Sequence, residues 1–268
     1  MHAKMLRRRN DGNPESNLCM TRIGTRAEVW FSNVVASFAR YVAERTLPES
    51  VPMLIRREAI MDSFRYAKEN MATAYSFLDR FEGLSLSIRE AKRRFPARNR
   101  VMEFGVYKAG MINYQAKRFT DLNFVGFDSF EGLRESWHGM APEKTFDLGG
   151  KLPRVRENVT LVKGWFAESG PRWKAENHAS DVPLLVHVDC DTYAATVDVL
   201  EFCSGYIDDG LVFHFDDYFG FPNWRSAGFK ALNEISESRQ WHLTYLSYGT
   251  KEVSVLAERD VARRGHDR

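Results

Sequence analysis

The 268-residue sequence predicts one doubly wound α/β domain with a mostly parallel, seven-stranded sheet and an N-terminal helical extension. From residue 100 onward, short apolar segments alternate with helical ones, which is the order typical of such a sheet. Several apolar segments contain almost no polar residues, which indicates strands that are covered on both faces. Only a few residues around Gly249 separate the last two segments, so we expect the last strand to pair antiparallel.

The predicted elements follow from the periodicity of the apolar residues. We expect strands at 100–106, 123–128, 159–163, 184–189, 211–216, 241–247 and 251–257, and helices at 109–119, 194–204 and 226–238. Upstream, helical periodicity covers 27–46, then runs from Ile60 to Phe81 and ends at Gly83, and a shorter helix covers 88–94. We divide the chain into a flexible basic tail (1–25), a helical cap (26–96), the α/β domain (97–258) and a C-terminal tail (259–268).

Composition argues against several classes of protein. The net charge is +2, and residues 1–26 carry six basic and two acidic side chains, so the remaining chain is close to neutral. A nucleic-acid-binding domain would need a basic folded face, so we expect no nucleic-acid partner. The three cysteines lack the spacing of disulfide or zinc sites. We find neither a signal peptide nor the run of about 20 apolar residues that spans a bilayer, so we expect a cytoplasmic protein without a membrane partner.

In open α/β sheets, ligands bind at the carboxyl ends of the strands. The first strand of the predicted α/β domain ends near Glu103 and Gly105, and a helix follows near Gly110. Gly105 permits a tight turn and a close backbone approach, and free N–H groups beside Gly110 suit an anionic group such as a carboxylate. A plain strand-to-helix turn would use the same residues, so this motif alone leaves the ligand open.

Asp128 ends the second strand, and its carboxylate is placed to accept both hydroxyl groups of a ribose. The loop after the first strand lacks the G-x-G-x-x-G pattern that binds a pyrophosphate, so the sequence favours S-adenosylmethionine over NAD. Gly164, Trp165 and Phe166 follow the third strand, where the two rings either flank an adenine or are buried in the core.

Four aspartates follow the next two strands, Asp189 and Asp191 after one and Asp216 and Asp217 after the other. Like charges in one place need a cation or a proton to offset their repulsion. Carboxylate oxygens suit Mg²⁺, Mn²⁺ or Ca²⁺, and such an ion lowers the pKa of a bound hydroxyl group. We therefore predict a metal site, with helix capping by Asp191 and Asp217 as the alternative.

His187 and His214 lie inside the same two strands, and either is a candidate base. A histidine within a central strand is more often a buried, hydrogen-bonded core residue, and we favour that interpretation. Cys190 has no histidine in an obvious partnering position, so we do not predict a cysteine nucleophile.

Five segments carry a resemblance to a known family: VMEFGVYKAG, VGFDSFEGL, LVKGWF, VHVDCDTYAATVDVLE and FHFDDYFGFPNW, in this order. Over about residues 98–256, the chain resembles the macrocin O-methyltransferase family, class I methyltransferases that modify macrolide sugars. The specific part of the pattern is the series FDSFEGL, DCDTYAAT and FDDYFG.

The resemblance implies a Rossmann-like fold, S-adenosylmethionine as methyl donor, Mg²⁺, and a hydroxyl acceptor on a small molecule, typically a sugar of a secondary metabolite. The implied metal ligands are Asp189 or Asp191 with Asp216 and Asp217, and Asp191 is the implied catalytic base. The predicted donor-site residues are Glu103, Gly105, Tyr107, Gly110, Asp128, Ser129, Gly164, Trp165, Phe166 and Asp189.

The chain departs from the family pattern at Cys190, where relatives tend to have glycine, and at Arg225 and Ser226, where many have a Gly-Glu pair. The N-terminal region has no counterpart in the pattern, so the acceptor is open. A nucleotide- or NAD-linked enzyme and a non-catalytic S-adenosylmethionine-binding protein on the same fold are the alternatives. The aromatic-rich N-terminal helices predict either a homodimer interface or a lid over the acceptor pocket.

Overall fold

Eight strands form one sheet in the computed structural model, which describes residues 35–39, 50–137, 140–177 and 182–259. In chain order they are β1 (Tyr75–Ser76), β2 (Arg100–Phe104), β3 (Asn123–Asp128), β4 (Val159–Lys163), β5 (Leu185–Val188), β6 (Leu211–Phe215), β7 (Trp241–Tyr248) and β8 (Val253–Arg259). Their order across the sheet is β1-β7-β8-β6-β5-β2-β3-β4. The described residues from Val51 onward form one compact unit.

Strand direction confirms the predicted doubly wound arrangement. β8 runs antiparallel to both of its neighbours, β6 and β7, and every other adjacent pair among the described strands is parallel. Where β7 turns into β8, the N–H of Gly249 donates to the carbonyl oxygen of Glu252 at 2.8 Å. The seven predicted strands are present. The sequence does not predict β1, because two residues are too few to show a period.

Six α-helices belong to the same unit among the described residues. They are α1 (Val51–Asn70), α2 (Arg80–Arg94), α3 (Gly110–Arg118), α4 (Phe166–Glu176), α5 (Tyr193–Cys203) and α6 (Gly228–Arg239). Successive strand residues point to opposite faces of the sheet. Phe104 and Phe213 therefore pack in one core with residues of α4 and α5, whereas Val101 and Val212 pack in a second core with residues of α2 and α3.

The N-terminal helices differ from the prediction. A single helix along the stripe from Ile60 to Phe81 is wrong, because α1 ends at Asn70 and a turn and β1 follow. α2 begins after Asp79, whose carboxylate accepts the N–H of Glu82 at 2.9 Å as an N-cap. Asp79 and Glu82 have the spacing typical of a capped helix start, and this local signal outweighs the apolar stripe.

The short predicted helix over 88–94 and the helix α4 also differ from the prediction. The short helix predicted over 88–94 is the second half of α2, and Gly83 lies inside that helix rather than at the end of the preceding one. The sequence does not predict α4, because Pro171 within it is typical of a helix break.

The predictions for the two ends of the chain fall largely outside the described residues. Residues 35–39 are helical, as the prediction over 27–46 requires. The rest of that segment, the basic tail over 1–25 and residues 260–268 lie outside the described residues. Within the described part of the chain, no helix is both long enough and apolar enough to cross a membrane.

Three tyrosine hydroxyl groups join α1 to the sheet. The hydroxyl of Tyr245 on β7 lies 2.5 Å from that of Tyr66 on α1 and 2.7 Å from that of Tyr218. The ring of Tyr66 also packs edge-on against Trp224, at a centroid distance of 5.6 Å. Tyr245 is the central partner, because its hydroxyl lies within hydrogen-bond distance of the other two in a partly buried region.

We expect Tyr245→Phe to lower the free energy of unfolding by about 1–3 kcal/mol, because it leaves two hydroxyl groups without their shared partner. Chemical denaturation followed by circular dichroism measures this change. Tyr75→Phe is the matched control, since Tyr75 is 60% exposed, and its effect should stay within about 0.5 kcal/mol. Equal effects of the two substitutions would contradict this role of Tyr245.

Candidate functional site

The candidate site lies where the strand order reverses. From β2 the chain moves outward to β3 and β4, and it then returns to place β5 on the other side of β2. A crevice at the carboxyl ends of the strands forms at such a point. Here it is a cavity of about 710 Å³, lined by residues that follow each strand from β2 to β6. This volume is within the range of small-molecule sites.

Gly105 lets the loops after β2 and β5 touch. Its φ is +98°, and a Cβ atom at this position would lie 1.7 Å from the carbonyl oxygen of Asp189. The two loops are tied together, since the N–H of Asp189 donates to the carbonyl oxygen of Phe104 at 2.9 Å. A side chain at position 105 would therefore force the two loops apart.

Gly110 stands in open space at the start of α3. No atom lies within 4 Å of the position that its Cβ would take. The residue before it, Ala109, has a φ of 60° and is the N-cap of α3, but its side chain makes no capping hydrogen bond. The first N–H groups of α3 therefore face the cavity side without a side-chain cap, as the sequence analysis expects.

Asp128 has a structural role that the sequence does not reveal. Its Oδ2 atom accepts the N–H groups of Val106 and Tyr107, both at 2.8 Å, and its Oδ1 atom accepts that of Phe130 at 2.7 Å. The carboxylate thus fixes the loops after β2 and β3 relative to each other while it lines the cavity. Ser129, which is buried beside it, accepts the N–H of Glu131 at 3.1 Å.

Aromatic rings form the wall of the cavity near β3 and β4. Trp165 and Phe166 are half-buried and line the cavity, and the Phe166 ring also packs edge-on against the core residue Phe104 at 5.3 Å. The guanidinium of Arg134 lies 4.1 Å from the centroid of the Trp165 ring. Phe146 packs edge-on against Tyr107 at a centroid distance of 5.2 Å. Flat rings at a strand end suit stacking against a planar ligand.

The four predicted aspartates meet in the same cavity. One oxygen each from Asp189, Asp191 and Asp217 lie within 4.8 Å of one another. The side chain of Asp216 is 5% exposed and lies beside Asp189. Burial, followed by the charges of neighbouring aspartates, raises the pKa of Asp189. Burial also raises the pKa of Asp216 to about 6.

Helix capping does not explain these aspartates. Thr192 is the N-cap of α5, and its hydroxyl accepts the N–H of Ala195 at 3.4 Å, so the capping role considered for Asp191 is wrong. Asp191 instead has a φ of 62°, and burial and the neighbouring Asp217 raise its pKa. After Asp217 the next helical segment among the described residues begins only at Trp224, so capping is wrong there too.

Two cations that the sequence analysis does not identify lie among these aspartates. Arg80 Nη2 is 3.1 Å from Asp216 Oδ2 and 3.4 Å from Asp189 Oδ2. Lys251 Nζ is 2.5 Å from Asp217 Oδ1. Both cations come from distant parts of the chain, at the start of α2 and in the turn before β8, so no local motif marks them. Four carboxylates against two cations leave an excess of two negative charges when all are ionised.

A row of polar residues crosses the sheet beneath the aspartates. Glu103, His187, His214 and Ser254 are paired in register on β2, β5, β6 and β8. His187 Nδ1 lies 2.9 Å from Glu103 Oε2, and His214 Nδ1 lies 2.7 Å from Ser254 Oγ. Both histidines are fully buried and hydrogen-bonded, as the core interpretation predicts.

Cys190 is a buried thiol between two of the aspartates. Burial raises its pKa far above the usual range, and its sulfur lies 3.6 Å from Thr196 Oγ1. A thiol with a raised pKa is a poor nucleophile. The structure therefore agrees with the expectation that Cys190 is not a nucleophile.

No family model matches the sequence, and no curated protein matches it. Among solved structures, the chain is similar to CalS11, a calicheamicin methyltransferase, with a TM-score of 0.52 and 19% identity over 92% of this chain and 98% of that one. A second structure of CalS11, described as an apo TDP-rhamnose 3'-O-methyltransferase, has a TM-score of 0.46 and 20% identity over 87% and 95%. The structure of the O-methyltransferase NovP has a TM-score of 0.49 and 16% identity over 68% of this chain and 80% of that one.

The likeness to CalS11 at a TM-score of 0.52 shows the fold. The chain has a Rossmann-like fold, and this confirms the fold predicted from the sequence. The macrocin O-methyltransferase family stays a prediction, which rests on the five sequence segments.

We expect Gly105→Ala to lower the free energy of unfolding by about 2–6 kcal/mol, because the new Cβ meets a backbone oxygen and the positive φ disfavours any side chain. Thermal and urea unfolding of the purified proteins measure the loss. Gly110→Ala is the matched control, since its Cβ enters open space, and its stability should change by less than about 1 kcal/mol. If both variants were equally stable, the close approach at Gly105 would be refuted.

His214 gives a pH-dependent prediction. Burial lowers its pKa well below 6.5, so at pH values just below 6.5 the unfolded chain takes up a proton that the folded chain does not. Stability is therefore lost as the pH falls through 6.5, with a limiting slope of about 1.4 kcal/mol per pH unit.

The difference in unfolding free energy between wild type and His214→Asn isolates this contribution between pH 5 and pH 8. As the pH falls from 8 to 5, wild type should lose stability relative to His214→Asn. A difference that stays constant over this range would show that His214 takes up its proton equally in both states.

Proposed function

We propose that the protein is an S-adenosylmethionine-dependent O-methyltransferase that acts on a hydroxyl group of a small molecule, with Mg²⁺ assistance. One observation carries the proposal: a glycine loop, an aromatic wall and four aspartates share one cavity at the switch point of the sheet. The similarity in fold to CalS11, a calicheamicin methyltransferase, supports it.

The donor is assigned to the part of the cavity between β2 and β4. Gly105 gives the close backbone approach, and the uncapped start of α3 at Gly110 suits the donor's carboxylate. Trp165 offers a ring face for the adenine, and Asp128 stands at the carboxyl end of β3, where a ribose is expected. The remaining proposed donor contacts are Glu103, Tyr107, Ser129, Gly164, Phe166 and Asp189.

The aspartates fit a divalent cation. They supply hard oxygen ligands, and their four carboxylates outnumber the two cations Arg80 and Lys251, which favours a further cation. Asp216 Oδ1 is buried without a hydrogen-bond partner among the described residues, which leaves it available as a ligand. The proposed ligands are drawn from Asp189, Asp191, Asp216 and Asp217. When bound, Mg²⁺ lowers the pKa of a coordinated hydroxyl group.

Asp191 is the proposed catalytic base. It lines the cavity, and a raised pKa brings a carboxylate closer to the pKa at which a base works well near neutrality. In the reaction, the acceptor oxygen forms a bond to the methyl carbon while the carbon–sulfur bond breaks, and the hydroxyl proton moves to Asp191. Arg80 and Lys251 hold the neighbouring carboxylates in place. Much of the rate gain would come from alignment of the two substrates.

The finer features of the proposal concern the acceptor and the cellular setting. Trp137, Phe146 and Phe81 also line the cavity and offer apolar ring faces that suit a sugar. We propose a sugar of a secondary metabolite as the acceptor, in the cytoplasm, with neither nucleic acid nor membrane as partner. Exposed apolar residues on α1, among them Ile55 and Phe64, support the proposed homodimer.

Asp191→Asn should lower the rate of methyl transfer by about 10²–10⁴-fold, because the amide cannot accept the hydroxyl proton. Release of S-adenosylhomocysteine, with a panel of hydroxylated sugars as acceptors, measures turnover. Donor binding, followed by equilibrium dialysis, should stay close to that of wild type.

Asp121→Asn is the matched control for this experiment, since Asp121 is exposed and pairs with Lys92 away from the cavity. It should leave turnover unchanged. Wild-type turnover in Asp191→Asn would refute the role of Asp191, and the absence of both donor binding and turnover in wild type would refute the proposed function.

A further inference from the structure

Two buried polar atoms face each other without a hydrogen bond. His187 Nε2 and Asp216 Oδ1 are 4.0 Å apart, and neither has a hydrogen-bond partner among the described residues. His187 is fully buried, and the side chain of Asp216 is 5% exposed. Since buried polar atoms are nearly always paired, this pair needs an explanation.

Glu103 decides which nitrogen of His187 carries a proton. Its Oε2 atom lies 2.9 Å from His187 Nδ1, and a buried carboxylate at this distance accepts a hydrogen bond from that nitrogen. When Nδ1 alone carries a proton, Nε2 has a lone pair, and this atom lies 4.0 Å from Asp216 Oδ1. A histidine that binds a metal usually donates its other N–H to a carboxylate in this way.

The surroundings of Nε2 are negative. Arg80 contacts the Oδ2 atoms of Asp189 and Asp216, whereas Asp216 Oδ1 faces His187 and accepts no hydrogen bond from any described residue. Glu103, Asp189 and Asp216 together exceed Arg80 by two negative charges when ionised. A lone pair opposed to a carboxylate oxygen in this setting is stabilised by a divalent cation between them.

The distances suit one ion. Ligand atoms of His187, Asp189 and Asp216 all lie within 4.8 Å of one another. Nitrogen and oxygen ligands bind such ions at about 2.0–2.2 Å, so two ligand atoms of one ion lie at most about 4.4 Å apart. The 4.0 Å between His187 Nε2 and Asp216 Oδ1 is too long for a hydrogen bond and agrees with this span.

We propose that His187 Nε2, with Asp189 and Asp216, binds a divalent metal ion, and that Glu103 is a positioning residue that orients the imidazole. A mixed nitrogen and oxygen ligand set also accepts Mn²⁺, so Mn²⁺ serves as the probe ion for this site in place of Mg²⁺. This ligand set also leaves Asp191 free to act as a base. The role of the ion in catalysis rests on the proposed function. Binding of the ion does not, since it is measured without methyl donor or acceptor.

Pulsed electron paramagnetic resonance of the full-length protein loaded with Mn²⁺ tests the proposal. Wild type should show modulation from one directly bound ¹⁴N nucleus, and His187→Gln should lose that modulation and bind Mn²⁺ at least about tenfold more weakly. His242→Gln, which removes an exposed histidine from β7, should keep both the modulation and the affinity. Circular dichroism and thermal unfolding of the metal-free proteins report whether each variant is folded.

Glu103→Gln is a second test, which does not depend on His187→Gln being folded. Its amide oxygen can still accept the Nδ1–H but carries no charge, so Mn²⁺ should bind about 10–100-fold more weakly while the ¹⁴N modulation remains. The proposal is overturned if wild type lacks the modulation or binds no Mn²⁺, if His187→Gln keeps wild-type affinity, or if Glu103→Gln does so.

Titration of the same wild-type sample with S-adenosylhomocysteine separates this inference from the proposed function. Donor binding together with Mn²⁺ bound only by oxygen ligands would overturn the role of His187 and leave the methyltransferase proposal in place. A nitrogen-ligated Mn²⁺ ion without any donor binding would support the metal site and count against methyl transfer.

Discussion

The close approach of Gly105 to the carbonyl oxygen of Asp189 is the constraint on which the site depends. Only a residue without a Cβ atom lets the loop after β2 lie against the loop after β5. This contact places the glycine loop and the start of α3 beside the aspartates, within one cavity. Asp128 holds the same loop from the other side through the N–H groups of Val106 and Tyr107. The proposed donor and the proposed cation are neighbours for this reason.

The cost of this arrangement is electrostatic. Four carboxylates at adjacent strand ends repel one another, and burial raises the pKa values of Asp189 and Asp191. Arg80 and Lys251 offset part of the charge from outside the strand ends. Beneath them, the imidazole of His187 lies between Glu103, at 2.9 Å from Nδ1, and Asp216, at 4.0 Å from Nε2. The proposed donor residues and the proposed cation ligands are therefore neighbours in one group of charged side chains.

The sequence predicts most of the sheet and the composition of the site, because local patterns determine both. The apolar strands and the acidic pairs at residues 189–191 and 216–217 are visible in short segments. The break between α1 and α2 is not, because a local cap at Asp79 overrides an apolar stripe. Arg80 and Lys251 could not be predicted, since tertiary contacts alone bring them to the aspartates. The three backbone bonds of Asp128 likewise depend on loops that only the fold brings together.

Calorimetric titration of wild type with S-adenosylhomocysteine, with NAD⁺ as the comparison ligand, tests the central claim most directly. The cavity offers a glycine loop, a ring face and a carboxylate, but no pyrophosphate cradle. We therefore expect one molecule of S-adenosylhomocysteine to bind with micromolar affinity and NAD⁺ to give no saturable heat. Saturable binding of NAD⁺ without binding of S-adenosylhomocysteine would contradict the assignment of this cavity to a methyl donor.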